Sequence, residues 1–64
     1  MKVKELLELC ANNVQGICFV REDASFRAFW IDEADKKELE TEFKSFKLYK
    51  HSALGGRTMA KFYI

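Results

Sequence analysis

Residues 44–64, KSFKLYKHSALGGRTMAKFYI, give the most informative indication of the fold. Apolar and polar residues alternate on both sides of the Gly55-Gly56 pair, and a period of two is typical of β-strands with one buried face. Glycine accepts the positive φ that tight turns need. The stretch therefore predicts a β-hairpin that pairs residues 44–52 with residues 58–64 across a turn containing these glycines.

The same alternation predicts which side chains share a face of the hairpin. One face is expected to lie under helices and to carry Phe46, Leu48, Ala60, Phe62 and Ile64. The opposite face is expected to meet solvent and to carry Lys47, Tyr49, His51, Met59, Lys61 and Tyr63. The hairpin is thus predicted to present a basic surface that bears tyrosines.

Charge is distributed unevenly along the chain. Residues 1–42 hold six cations and ten anions, whereas residues 43–64 hold five cations and no anion. These five are Lys44, Lys47, Lys50, Arg57 and Lys61. The formal net charge is only +1, which falls short of the basic footprint usual for nucleic-acid-binding domains. An acidic protein surface and a nucleic acid are both open as partners of the hairpin, and so is the alternative that the lysines only keep an exposed sheet soluble.

Before the hairpin, an amphipathic helix is predicted over about residues 2–12, because apolar residues recur at helical spacing from Val3 to Val14. Asn12, Asn13 and Gly16 are its stop signals. Two antiparallel strands follow at residues 14–21 and 25–31, which are rich in β-branched and aromatic residues. In the second of them, Phe26, Ala28 and Trp30 point to one face, and Arg27, Phe29 and Ile31 point to the other. This strand is therefore either central and covered on both sides, or it exposes aromatics to a partner.

A second, acidic helix is predicted over residues 33–42, with Asp32 as its N-cap. Its inward residues are Ala34, Leu39 and Phe43. Its acidic side chains, among them Glu38 and Glu42, give a density of negative charge that would allow the helix to mimic nucleic acid against a basic protein groove. A solvated helix face is the plainer interpretation.

The order αββαββ predicts one α+β domain over residues 1–64. Its expected architecture is a two-layer sandwich, in which a four-stranded antiparallel sheet carries two helices on one face. A chain of this length buries too little surface to build a large active-site cleft.

Motifs for catalysis or cofactors are not found in the sequence. The single histidine, His51, has no identifiable partner, and Gly55-Gly56 leads from strand to strand without the spacing of a phosphate-binding loop. Cys10 and Cys18 form neither a Cys-x-x-Cys motif nor a zinc-ligand pattern and are expected to be reduced. No run approaches the roughly 20 apolar residues of a membrane helix. We therefore expect a cytoplasmic protein that is not an enzyme, with no cofactor, no metal and no membrane partner.

The opening Val3-Lys4-Glu5-Leu6-Leu7-Glu8-Leu9, followed by two short strands, a short acidic helix and a terminal hairpin, resembles small uncharacterised proteins encoded by bacteriophages and mobile elements. The resemblance covers most of the chain in layout and about seven residues in motif, and it departs from these proteins in a longer, more basic final hairpin. It implies a small accessory protein of a phage or mobile element that binds a host protein, and inhibition of a host defence or of a host nucleic-acid machine is one role that it leaves open.

Taken together, the sequence predicts a noncatalytic module that binds a macromolecule, with a host or cognate protein as the first choice. The alternative is a nucleic-acid-binding protein that uses the basic hairpin, and pairing with a second copy as a homodimer is also open. The predicted partner-binding residues are Lys47, Tyr49, Lys50, Arg57, Lys61 and Tyr63 of the hairpin and Glu38 and Glu42 of the acidic helix.

Overall fold

In the computed structural model of the chain, which describes residues 1–10, 13–51 and 55–64, four strands form one sheet. The elements in chain order are α1 (Val3–Leu9), β1 (Gly16–Val20), β2 (Phe26–Trp30), a 3-10 helix (Ile31–Glu33), α2 (Lys36–Leu39), β3 (Ser45–His51) and β4 (Arg57–Tyr63). The α+β class and the terminal hairpin are confirmed. The 3-10 helix was not predicted, and it interrupts the expected order αββαββ.

The strand order is β2-β1-β4-β3, and the two central strands are parallel. The two hairpins, β1 with β2 and β3 with β4, are antiparallel as predicted. A fully antiparallel sheet was therefore the wrong prediction for the central pair. The reason is the connection at residues 31–44, which is long enough to include a helix and to cross the sheet, so that β2 and β3 run in the same direction at opposite edges.

Hydrogen bonds from Gln15 hold the start of the parallel pair. The Gln15 amide donates to the Thr58 carbonyl at 2.9 Å, and the Thr58 amide donates to Gln15 Oε1 at 3.0 Å. In this register Ile17 lies beside Ala60, and Phe19 lies beside Phe62. The apolar residues of the two central strands thus form one continuous patch under the helices.

The core lies between α1 and this patch. Its buried cluster consists of Val3, Leu6, Leu7, Val14, Ile17, Phe19, Ala60 and Phe62. Leu39 of α2 and Ile64 pack against its border. The prediction that Ala60 and Phe62 lie under helices is confirmed. Phe46 and Leu48 point to the same side but are 45% and 43% exposed; both lie on β3, which is an edge strand of the sheet.

The first helix is shorter than predicted. It covers Val3–Leu9, and Glu5 Oε1 accepts from the Lys2 amide at its start, at 2.8 Å. The predicted stop residue Asn12 lies outside the described residues, and so do residues 52–54 of the predicted hairpin. Gly55 and Gly56 have the expected positive φ, 72° and 76°. Among the described residues, none of the helices is both long and apolar enough to span a bilayer.

The second helix begins at a different cap from the predicted Asp32. Asp35 is its N-cap: Asp35 Oδ1 accepts from the Glu38 amide at 2.8 Å, and Glu38 Oε1 accepts from the Asp35 amide at 3.0 Å. This reciprocal pair is a capping box. The helix ends at Leu39 instead of residue 42, because the next segment is extended beside the N-terminus, where the Val3 amide donates to the Thr41 carbonyl at 3.0 Å.

The packing of the core predicts that a Phe→Ala substitution costs far more unfolding free energy at a buried position than at an exposed one. Phe62 is fully buried, and its ring centre lies 4.9 Å from that of Phe43. Phe62→Ala should lower the free energy of unfolding by about 3–5 kcal/mol. Phe26 is 73% exposed, so Phe26→Ala should cost only about 0.5 kcal/mol. Urea denaturation followed by circular dichroism measures both, and equal costs would contradict this packing.

Candidate functional site

The helices of the described residues cover one face of the sheet, and none of them lies on the other face, which we call the open face. The pairing register places side chains on it, because directly opposed residues of neighbouring strands point to the same side. Its members are Gly16, Cys18, Val20, Phe26, Ala28, Trp30, Ser45, Lys47, Tyr49, His51, Arg57, Met59, Lys61 and Tyr63. The open face is thus the surface on which the predicted basic, tyrosine-bearing residues lie.

The open face is organised in rows that cross the strands. Trp30 and Tyr49 stand at the two ends of one row, which also contains Gly16 and Met59. The next row contains Lys61 and Lys47 as direct neighbours, and the third contains Phe26 and Tyr63 on either side of Val20. Because rows are two residues apart along each strand, their spacing is about 7 Å.

Two cation–ring contacts lie at one end of the open face. Lys61 Nζ lies 5.2 Å from the ring centre of Tyr49, and Arg57 Cζ lies 4.9 Å from that of Trp30. Such contacts are attractive because a cation meets the negative face of the ring. They hold long side chains close to the sheet, so the charges sit beside the aromatic rings.

Gly16 makes the contact around Trp30 possible. A Cβ at this position would clash with Met59 Sδ and would lie 3.3 Å from Trp30 Cε3. The missing side chain lets Met59 and Trp30 pack together above β1. Met59 is consequently buried, which corrects the prediction that it faces solvent.

The open face is positively charged. Its described strand residues include the cations Lys47, Arg57 and Lys61 and no carboxylate. Asp32 and Glu33 line a surface groove with Trp30 and Arg57 at one end of the face, and they offset the charge there. The positive potential is therefore greatest around the neighbouring Lys47 and Lys61.

Five of the six predicted hairpin residues share the open face, namely Lys47, Tyr49, Arg57, Lys61 and Tyr63. Lys50 does not, because it pairs with Thr58 and points to the helix side. Phe26 and Trp30 also lie on the open face, although neither was among the predicted partner-binding residues. Alternation within β2 already put both aromatics on one side of that strand, but only the sheet order shows that this side is the open face.

The two predicted acidic residues are engaged within the fold. Glu38 is 8% exposed; its Oε1 belongs to the capping box of α2, and its Oε2 lies 2.5 Å from Arg27 Nη1 in an ion pair. Glu42 is exposed, and its Oε2 accepts from the N-terminal amine of Met1 at 3.1 Å. Glu38 and Glu42 therefore do not form one exposed acidic surface in this structure.

Cys18 lies in the lysine row but is buried, and both Cys10 and Cys18 are free thiols. Burial raises the pKa of the Cys18 thiol, and nearby Lys61 only partly offsets this. The thiolate is the nucleophilic form of cysteine, so Cys18 is a poor nucleophile near neutral pH. Among the described residues, no group of three or more His, Cys, Asp or Glu side chains is placed to hold a metal ion.

The role of Glu38 in capping predicts a stability loss. Glu38→Ala removes one half of the capping box together with the ion pair to Arg27, and it should lower the free energy of unfolding by at least about 1 kcal/mol. Glu40→Ala is the matched control, because Glu40 only faces Lys4 at 4.0 Å in an exposed pair; it should cost less than about 0.5 kcal/mol. Chemical denaturation compares the two, and a Glu38→Ala variant as stable as the control would remove the capping role.

The environment of Cys18 predicts slow modification. With Cys10→Ser, the remaining Cys18 thiol should react with a disulfide reagent far more slowly in the folded protein than in urea, because it is 5% exposed and its pKa is raised. Absorbance of the released thiolate gives both rates. Similar rates in the two conditions would mean that the open face does not cover Cys18.

A comparison of the chain with protein-family models, with curated proteins and with solved structures found no match. The resemblance to phage and mobile-element proteins therefore stays a prediction, as does the host-directed role that it implies.

Proposed function

We propose that this chain is a noncatalytic module that binds another macromolecule through the open face of its sheet. The observation that carries the proposal is the convergence on one helix-free face of aromatic and cationic side chains that lie far apart in the sequence. Phe26 and Trp30 come from the first hairpin, and Lys47, Lys61 and Tyr63 come from the second.

The energetics of the open face favour a binding role. Phe26 is 73% exposed, so most of its ring lies outside the core and is free to contact a partner. On contact with a partner, an aromatic side chain supplies a large apolar area at low entropic cost. Exposed apolar residues rimmed by polar ones are typical of interaction sites.

Charge indicates the kind of surface that the partner presents. The cations of the open face have no carboxylate opposite them on the described strands, so a negatively charged partner would be steered towards Lys47 and Lys61. The acidic helix supports a second binding surface less well, since Glu38 is buried in the capping box.

The proposal predicts that partner retention depends on the open face of the β3–β4 hairpin. A tagged protein with Lys47→Glu and Lys61→Glu should lose most of the macromolecules that the unaltered protein retains from a bacterial lysate. Lys50→Glu is the matched control, because Lys50 lies on the same strand β3 but points to the opposite face. Gel analysis and mass spectrometry compare the retained material, and circular dichroism verifies the fold of each variant.

Two results would contradict the proposal. One is an unchanged set of partners when Lys47 and Lys61 are reversed. The other is an equal loss with Lys50→Glu, because a nonspecific charge effect would then account for the retention.

A further inference from the structure

We infer that the ligand of the open face is a single-stranded nucleic acid whose chain runs along the β-strands. This inference rests on the binding function proposed above and names the class of partner. It uses the arrangement of the rows, which the sequence alone does not specify.

The rows alternate in chemistry along the strand direction. The aromatic row of Trp30 and Tyr49 is followed by the cationic row of Lys61 and Lys47, and then by the aromatic row of Phe26 and Tyr63. A single strand of nucleic acid alternates in the same way, because each nucleotide has one flat base and one charged phosphate. A single-stranded nucleic acid that crosses the rows would stack its bases on the two aromatic rows and place a phosphate between them, near the lysines.

The position of the charges distinguishes this ligand from an acidic protein. Protein interfaces have an apolar centre that is depleted of charge and a polar rim. Three of the four rows on the open face have the reverse arrangement, since Lys61 and Lys47 lie between two rows that carry aromatics. The fourth row, His51 and Arg57, lies beyond Tyr49 at the end of the face. A protein partner would have to desolvate this central pair of cations, whereas phosphates contact such cations while remaining partly in water.

The exposed aromatics favour a single strand over a duplex. Bases in a duplex are paired and stacked on one another, so their ring faces do not reach a protein sheet. Phe26 and Tyr63 would find a stacking partner only on an unpaired base. Four-stranded sheets that recognise single-stranded RNA stack two or three bases on aromatic side chains, and two aromatic rows allow a footprint of similar size.

The acidic residues set one limit of this footprint. Asp32 and Glu33 lie beside Trp30 and Arg57 and would repel a phosphate there. We therefore place the phosphate contacts at Lys47 and Lys61. Trp30 is expected to contact a base and not a phosphate.

Fluorescence anisotropy with labelled oligo(dT) and oligo(U) of about ten nucleotides tests the inference. Both single strands should bind more tightly than the corresponding hybridised duplexes. Phe26→Ala should weaken binding about five-fold or more, as expected for one lost base stack. The slope of log affinity against log salt is negative, and Lys47→Gln should reduce its magnitude by about 0.7. The control Lys50→Gln should leave that slope unchanged.

The outcomes separate this inference from the proposed function. If both oligonucleotides bind but Phe26→Ala has no effect, and a polyglutamate peptide competes equally well, the contact is one of charge alone and the inference is wrong. If neither oligonucleotide binds, while a protein survives nuclease treatment and its retention still needs Lys47 and Lys61, the inference is wrong and the proposed function stands. If no retained material depends on Lys47 and Lys61, both are wrong.

Discussion

The packing of α1 on one side of the sheet is the interaction on which the rest of this structure depends. Val3, Leu6 and Leu7 cover Ile17, Phe19, Ala60 and Phe62, and α2 has only four residues to add. Among residues 1–10, 13–51 and 55–64, these helices lie on one face of the sheet and none covers the second face. The side chains of the open face therefore meet water in this structure and must be compatible with it. Small residues, cations and the half-buried rings of Trp30 and Tyr49 meet that requirement, whereas Phe26 is 73% exposed. Met59 and Cys18 are buried among their neighbours on the sheet.

The parallel pairing of β1 with β4 then determines the chemistry of the open face. It places the first hairpin beside the basic hairpin in a register that aligns Trp30 with Tyr49 and Phe26 with Tyr63 across the sheet. Gln15 fixes the start of this register through two hydrogen bonds to Thr58. A shift of one residue would turn Lys61 towards the core and Phe62 towards solvent. The burial of Phe62 and the alternating rows of the open face are therefore two results of one register.

Local signals in the sequence predicted the hairpins and the faces of their strands, because a period of two leaves little freedom once one face is apolar. They did not predict the direction of the central pair. Strand direction depends on how residues 31–44 cross the sheet, which is a matter of packing between distant segments. The length of α2 was overestimated for a similar reason: Thr41 and Glu42 pair with the N-terminal residues, and such long-range contacts have no local pattern. The membership of Phe26 and Trp30 in the candidate site followed from the sheet order alone.

We expect the open face to be uncovered in solution, and NMR relaxation caused by a soluble gadolinium chelate can test this. Side-chain signals of Phe26 and Tyr63 should relax strongly when the chelate is added, whereas those of Ile17 and Phe62 should be protected, because the latter pair is fully buried. Protection of Phe26 and Tyr63 equal to that of Phe62 would contradict the account, since it would mean that a second copy of the chain or another segment covers the open face.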